Sequence, residues 1–291
     1  MSPALLLPLI AAAIYAGATM LIKRAADLGA GLWRVAFVVN ITGALLFQSL
    51  HFLGGKVHPA LWWQPVIVGA CFAVGQWLTM LSIDQGDVSV ATPVLGLKIL
   101  LVAALVTAVN GTRLPGALWV AASLATFAIV LLNHRGPHAT HPHVGRTILA
   151  AGAAAGCFAI FDVLVQRWSP LWGIGRFLPL TLAVSGTLSL GFIPFFRAPL
   201  SALPAPTWRW LLIGAVTLGM QTILFVAALA QWGNAPAANV LYSSRGLWSV
   251  AFVWLFGHWV KSREQRLEAS VLRSRLAGAA LMTAAIALVL T

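Results

Sequence analysis

Lys98 and Arg245 each stand well inside a long apolar stretch, at matching places in the two halves of the chain. A charge at bilayer mid-depth costs at least ~2.5–3.5 kcal/mol on insertion scales, so it is seldom there without a task. A guanidinium offers a planar fork for two oxygens, and an ammonium offers a mobile point charge. Together they suit a phosphate or a carboxylate. Facing one wet cavity they repel each other until an anion comes between them. The competing reading is structural pairing, and Asp162 is the acidic residue that lies well inside a span.

Other side chains fall near these two. Tyr242 and Trp248 lie three residues to either side of Arg245, on one helical face, with Ser244 beside it. Gln76 and Gln221 are mid-span amides able to hydrogen-bond a polar ligand or a neighbouring helix. Tyr15 is a further candidate for ligand contact or packing. Arg34 and Arg176 sit near helix starts, as ligand or gating cations or as interfacial anchors. Asp162 precedes Gln166 and Arg167 near the end of its apolar run, which suits a structural or gating partner, or a carboxylate coupled to protons.

Enzyme chemistry finds no foothold. There is no phosphate-binding loop, no nucleotide fingerprint, no HExxH and no Ser/His/Asp set, so neither a cofactor nor a resident metal is expected. His134, His138, His141 and His143 have a spacing that could hold a metal, but Gly136, Pro137 and Pro142 make that stretch read as a linker. Cys71 and Cys157 lack ligand spacing and read as packing residues.

The elements that position these groups follow from composition. Of 291 residues, 60% are hydrophobic and 8% charged, where a soluble domain carries roughly 25% charged residues. With a mean hydropathy of +0.91, the chain needs lipid as its solvent. The net charge of +12 reads as loop charge that sets orientation and touches anionic lipid, not as nucleic-acid binding. Thirteen Trp suit interfacial anchoring. Lys23 and Arg24 follow the first apolar run instead of preceding it, which marks a membrane helix and not a cleaved signal.

A crossing takes ~20 apolar residues. Ten runs qualify: 3–22, 33–52, 62–82, 88–109, 116–133, 147–166, 173–195, 208–231, 236–257 and 273–290. The break at 134–146 divides them into units 1–133 and 147–291 of five spans each. The units resemble each other. Gly86 matches Gly233, Ala91 matches Ala238 and Lys98 matches Arg245 at one offset, Gln76 and Gln221 correspond with a slip of two, and Arg24 and Arg34 parallel Arg167 and Arg176. Five is odd, so the second unit enters from the opposite side, an inverted repeat with a site expected near the midplane. Continuous helices would hold both cations ~14–15 Å deep. Small residues at 152–156 and in spans five and ten allow close contact within one chain or in a homodimer.

Ten spans in this pattern, with Arg34 and Arg176 opening spans two and seven and small residues leading into spans four and nine, resemble the drug/metabolite transporter superfamily. Its EamA-type exporters and its sugar-phosphate translocators share the layout. The resemblance implies an all-α, multi-pass protein of a bacterial inner (plasma) membrane, a secondary transporter or antiporter working by alternating access. In the translocators basic residues on helices four and nine hold the phosphate, which implies that role for Lys98 and Arg245 with Arg176 assisting. The chain departs from the family at Gly257-His258, where exporters carry Gly-Glu, and at Gly246, where translocators have a second basic residue. The expected cargo is a small anionic metabolite: an organophosphate, a phospho-sugar or an organic acid. The alternatives are an exporter of amino acids or amphipathic metabolites, and a flippase for a phosphate-headed lipid. Orientation is contested. Apart from the two central cations, twelve Lys/Arg fall at breaks on the side opposite the termini and four on the terminal side, which places the termini outside. The resemblance places them inside.

Overall fold

The structure, a computed structural model, describes residues 2–84, 88–111, 113–133, 144–256 and 269–290. Gly86, the four linker histidines, Gly257 and His258 lie outside the described residues. The first part of the chain runs α1 (Pro3–Asp27), α2 (Leu32–Gln48) prolonged by a 3-10 stretch (Ser49–Leu53), a 3-10 turn (Pro59–Leu61), α3 (Trp63–Asp84), α4 (Val88–Leu95), α5 (Lys98–Asn110) and α6 (Gly116–Leu132). The second part repeats that order: α7 (Val144–Trp172), α8 (Ile174–Leu188) with a 3-10 extension (Ser189–Phe195), a 3-10 turn (Leu200–Ala202), α9 (Ala205–Trp232), α10 (Ala235–Tyr242), α11 (Arg245–Phe256) and α12 (Ala269–Leu290).

The protein is an all-α, multi-pass membrane protein. Among the described residues, eight helical stretches are long and apolar enough to cross a bilayer, and Gly116–Leu132 is a shorter apolar helix. Their outward faces confirm the solvent: Leu45, Phe127 and Leu149 are 68%, 65% and 75% exposed. Side chains that apolar, spread over the whole perimeter, are stable only against lipid.

Packing is across the two parts more than within them. α1 lies along α9, α10 and α11, while α7 lies along α3, α4 and α5. α2 packs on α8 and α9, α8 on α3, and α6 on α12. Alanines let these helices approach: Ala11, Ala12 and Ala16 of α1 and Ala121, Ala122 and Ala125 of α6 are fully buried. The small faces of spans five and ten therefore meet each other inside the chain.

Glycines at matched turns fix the entry to α2 and α8. Gly31 and Gly173 precede the two helices with φ of 74° and 80°, a conformation that other residues adopt only with strain. Two residues further on, Gly175 touches the chain after α2: an added Cβ would sit 2.5 Å from the Gly54 carbonyl oxygen and 2.6 Å from that of Leu50. Gly175→Ala is expected to cost about 1–3 kcal/mol by overpacking. Gly156→Ala, in mid-helix with nothing within 4 Å of the new methyl, should be neutral or stabilising. Thermal unfolding of both variants in detergent checks the contrast.

Candidate functional site

Span four crosses as Val90–Val109, and both it and span nine tighten in the two residues before the cation, so that Lys98 opens α5 and Arg245 opens α11. At both places the backbone goes over to i→i−3 bonds: Leu97 N–H donates to Val94 (3.0 Å) and Ile99 to Gly96 (3.3 Å), Ser244 donates to Leu241 (3.1 Å) and Gly246 to Ser243 (3.2 Å). Local chemistry explains this. Pro93 lacks an N–H and Gly96 lacks a stiffening side chain, while the Ser243 hydroxyl donates to the Val240 carbonyl in competition with the helix ladder.

The two cations have different surroundings. Lys98 Nζ lies 2.7 Å from Asp162 Oδ2. The same oxygen accepts from Asn239 Nδ2 at 2.7 Å, while Asp162 Oδ1 is buried without a hydrogen-bond partner among the described residues. Lys98 also rests 5.4 Å from the Phe225 ring and 5.9 Å from Phe158. It is absent from the cavity wall described below, so the expectation of two cations sharing one chamber does not describe this arrangement. The reason is helix length. α7 continues past Arg167 to Trp172 with Pro170 inside it, which moves Asp162 from near a helix end to mid-span.

Arg245 has no carboxylate within ion-pair distance among the described residues. Its guanidinium lies against two rings, 4.9 Å from Tyr15 and 4.8 Å from Tyr242, which themselves meet edge to face at 5.9 Å. Contacts of this kind contribute about 0.5–2 kcal/mol and leave the charge unneutralised. Tyr242 is itself fixed: its hydroxyl donates to Gln221 Oε1 at 3.0 Å, and its ring stacks on Phe225 at 4.4 Å. Gln221 in turn donates to Thr222 Oγ1 at 2.8 Å.

Arg245 faces a cavity of about 1400 Å³. Tyr15, Thr19, Gln76, Thr79, Gln221, Ser249 and Arg275 share its wall with aliphatic side chains, and among the described residues no Asp or Glu lines it. Ile22, Leu32, Ile83, Asn133 and Arg275 mark its mouth, at ends of α1, α2, α3, α6 and α12 that successive crossings bring to one face. The opposite face is closed. There Gln166 Oε1 accepts from the Ala235 N–H at 2.9 Å, Arg167 donates to the Val109 carbonyl, and Lys56 N–H donates to Trp172 at 2.8 Å. The Asp162–Asn239–Lys98 cluster lies between cavity and closed face.

The remaining candidates stand apart from the cavity. Arg176 Nη1 lies 3.1 Å from His51 Nδ1, at the closed face. Ser244 is buried with its hydroxyl unpartnered, and Trp248 is 41% exposed on the outer surface against Phe252. Arg34 donates to three carbonyls, those of Ala30 (2.6 Å), Gly29 (2.7 Å) and Pro199 (3.3 Å), which binds the α1–α2 turn to the chain after α8. Arg34→Ala should lower the stability measured by thermal unfolding by about 2–3 kcal/mol, since bonds to a charged donor are individually worth ~1.5–3 kcal/mol.

Arg275 and Asn239 escaped the reading of the sequence. Arg275 was counted as loop charge before span ten, yet α12 starts at Ala269 and carries it on the cavity wall. The signal was helical spacing, because Arg275, Leu276 and Ala279 fall on one stripe.

No family model matches the chain, and no curated protein does. A solved crystal structure of a protein aligns with a TM-score of 0.77 at 17% identity, covering 99% of this chain and 98% of that one. At that identity the likeness is one of fold, over the whole length.

Proposed function

We propose that the chain is a ten-span secondary transporter of the drug/metabolite type, built from two inverted five-span repeats and carrying a small organic anion by alternating access. The repeated element order supports the repeat, as do the tightened spans, whose three segment boundaries recur at one offset (88, 95 and 98 against 235, 242 and 245). The cross-packing supports it too, since α1 on α9 is the mirror of α7 on α3.

The observation that carries the choice of cargo is Arg245, held against two rings on a cavity wall with no carboxylate among the described residues. A positively charged wall of this kind recruits a negative ligand. In this scheme Arg245 grips the anionic group, and Gln76, Gln221 and Tyr15 contact the remainder. Lys98, Asp162 and Asn239 fasten the closed face and must part for the cavity to open there. The mouth lies on the face to which eleven Lys/Arg are assigned once Arg275 is set aside, which puts it in the cytoplasm on the positive-inside rule and makes export the loading direction.

A ligand panel tests this. Organophosphates, organic acids, amino acids and organic cations are added to purified protein, and the shift in thermal unfolding is read. Anions alone should stabilise it, and the strongest should drive exchange in proteoliposomes. Stabilisation by cations in preference to anions rejects the reading.

A further inference from the structure

The turns that lead into α2 and α8 correspond residue for residue: Gly29, Ala30, Gly31 and Arg34 stand at one offset from Leu171, Trp172, Gly173 and Arg176. Their backbones agree as well. Gly31 and Gly173 share a positive φ, and their carbonyls accept from Val35 and Phe177 at 3.0 Å in both turns. What covers the two turns differs. At the first, on the face of the mouth, Arg34 folds back onto its own turn and donates to the Ala30 and Gly29 carbonyls. At the second, on the closed face, the matching carbonyls are taken by the chain after α2. Lys56 N–H donates to Trp172 at 2.8 Å, and His58 Nε2 donates to Leu171 at 3.1 Å. The glycines show the same change of occupant. A Cβ on Gly31 would meet the Arg34 guanidinium at 3.5 Å, whereas one on Gly173 would meet Gly55 Cα at 2.9 Å.

Arg176 is thereby shut out of the place that Arg34 fills. Its Nε is buried with no hydrogen-bond partner among the described residues. Its Nη1 lies 3.1 Å from His51 Nδ1, which is also 3.0 Å from the Gly175 carbonyl. That carbonyl needs a proton on the nitrogen and the guanidinium needs a lone pair there, so one atom cannot serve both. A charged donor short of acceptors therefore sits beside two carbonyls held by a loop, and it gains them if the loop leaves.

We propose that each turn is a two-position catch, and that opening the closed face exchanges the occupants. The 54–58 segment lifts, and Arg176 turns onto the Leu171 and Trp172 carbonyls as Arg34 sits on those of Gly29 and Ala30. At the mouth the reverse takes place: Arg34 gives way to the 196–202 segment, which it already touches through the Pro199 carbonyl. Bonds broken at one face are replaced at the other, so a modest difference in ligand affinity moves the equilibrium. This rests on the alternating-access reading above and names the parts that switch.

The test reads hydrogen exchange of the Lys56 amide by NMR, in lysine-labelled full chain held in nanodiscs without cargo. Arg176→Gln takes away the competitor and leaves the loop in place, so exchange at Lys56 should slow by about tenfold or more. Arg34→Gln removes the bonds that keep the mouth open, so exchange at Lys56 should quicken by about tenfold or more. Opposite signs from two matched arginines support the catch. An Arg176 that merely props the closed face would loosen the loop when lost, so exchange unchanged or faster in Arg176→Gln overturns the proposal. Exchange unchanged or slower in folded Arg34→Gln overturns it too, and Arg176→Gln decides alone if that variant does not fold. Anion uptake separates the catch from the carrier. Uptake that depends on Arg245, with Lys56 exchange unmoved in Arg176→Gln, leaves the carrier standing and removes the catch. The expected pair of signs without any anion uptake keeps the catch and removes the anion carrier.

Discussion

Arg245→Gln abolishes anion uptake into proteoliposomes, on the reading above, while purified yield and elution profile stay those of the wild type. A charge-assisted bond is worth ~1.5–3 kcal/mol, and a guanidinium makes two such bonds to one carboxylate or phosphate, so a loss of at least 100-fold in affinity is expected. The fold should tolerate the change because Arg245 gives up no ion pair among the described residues, but contacts with Tyr15 and Tyr242. Arg245→Lys should recover little. An ammonium keeps the charge but cannot stack as a plane on a ring or present a fork. Uptake by Arg245→Gln within threefold of wild type would end the assignment.

The second large effect concerns stability. Asp162 is 1% exposed and holds Lys98 and Asn239 on a single oxygen. Lys98→Met leaves that carboxylate without its counter-charge, and Asp162→Leu leaves the ammonium without one. Each single change should cost about 3–5 kcal/mol, and the double variant Lys98→Met/Asp162→Leu should recover most of the loss, because replacing a buried pair by apolar residues is often neutral. Thermal unfolding of all four proteins forms the cycle that isolates the pair. Additive losses would mean that the two groups do not act as partners. The pair lies off the cavity wall, so anion binding by the double variant should stay within a few-fold of wild type. A collapse of binding in a stably folded double variant would return Lys98 to the ligand site.

Much of the architecture was legible because hydropathy answers a simple question, which runs can face lipid. Runs such as 3–22 and 208–231 lie inside α1 and α9 because lipid tolerates no other backbone there. The correspondence of Lys98 with Arg245 marked the two places, though not that the helix tightens there. Hydropathy does not see the backbone, and Pro93, Gly96 and the Ser243-Ser244 pair change hydrogen bonding more than apolarity. The site was less legible for the same kind of reason. Asp162 was placed near a helix end because Gln166 and Arg167 looked like a boundary, whereas both are used inside the bundle, on Ala235 and Val109. Arg275 was hidden by the cations around it.

The rings between the two cations have a mechanical meaning. Arg245 leans on Tyr242, Tyr242 on Phe225 and Phe225 on Lys98, at 4.8, 4.4 and 5.4 Å. A close-packed row of flat, stiff groups has no slack to absorb a displacement. On the proposed transport cycle, cargo that drew the guanidinium forward would unsettle the stack behind it, whose far end is the ammonium paired with Asp162. Loading and unlatching would then be two ends of one lever.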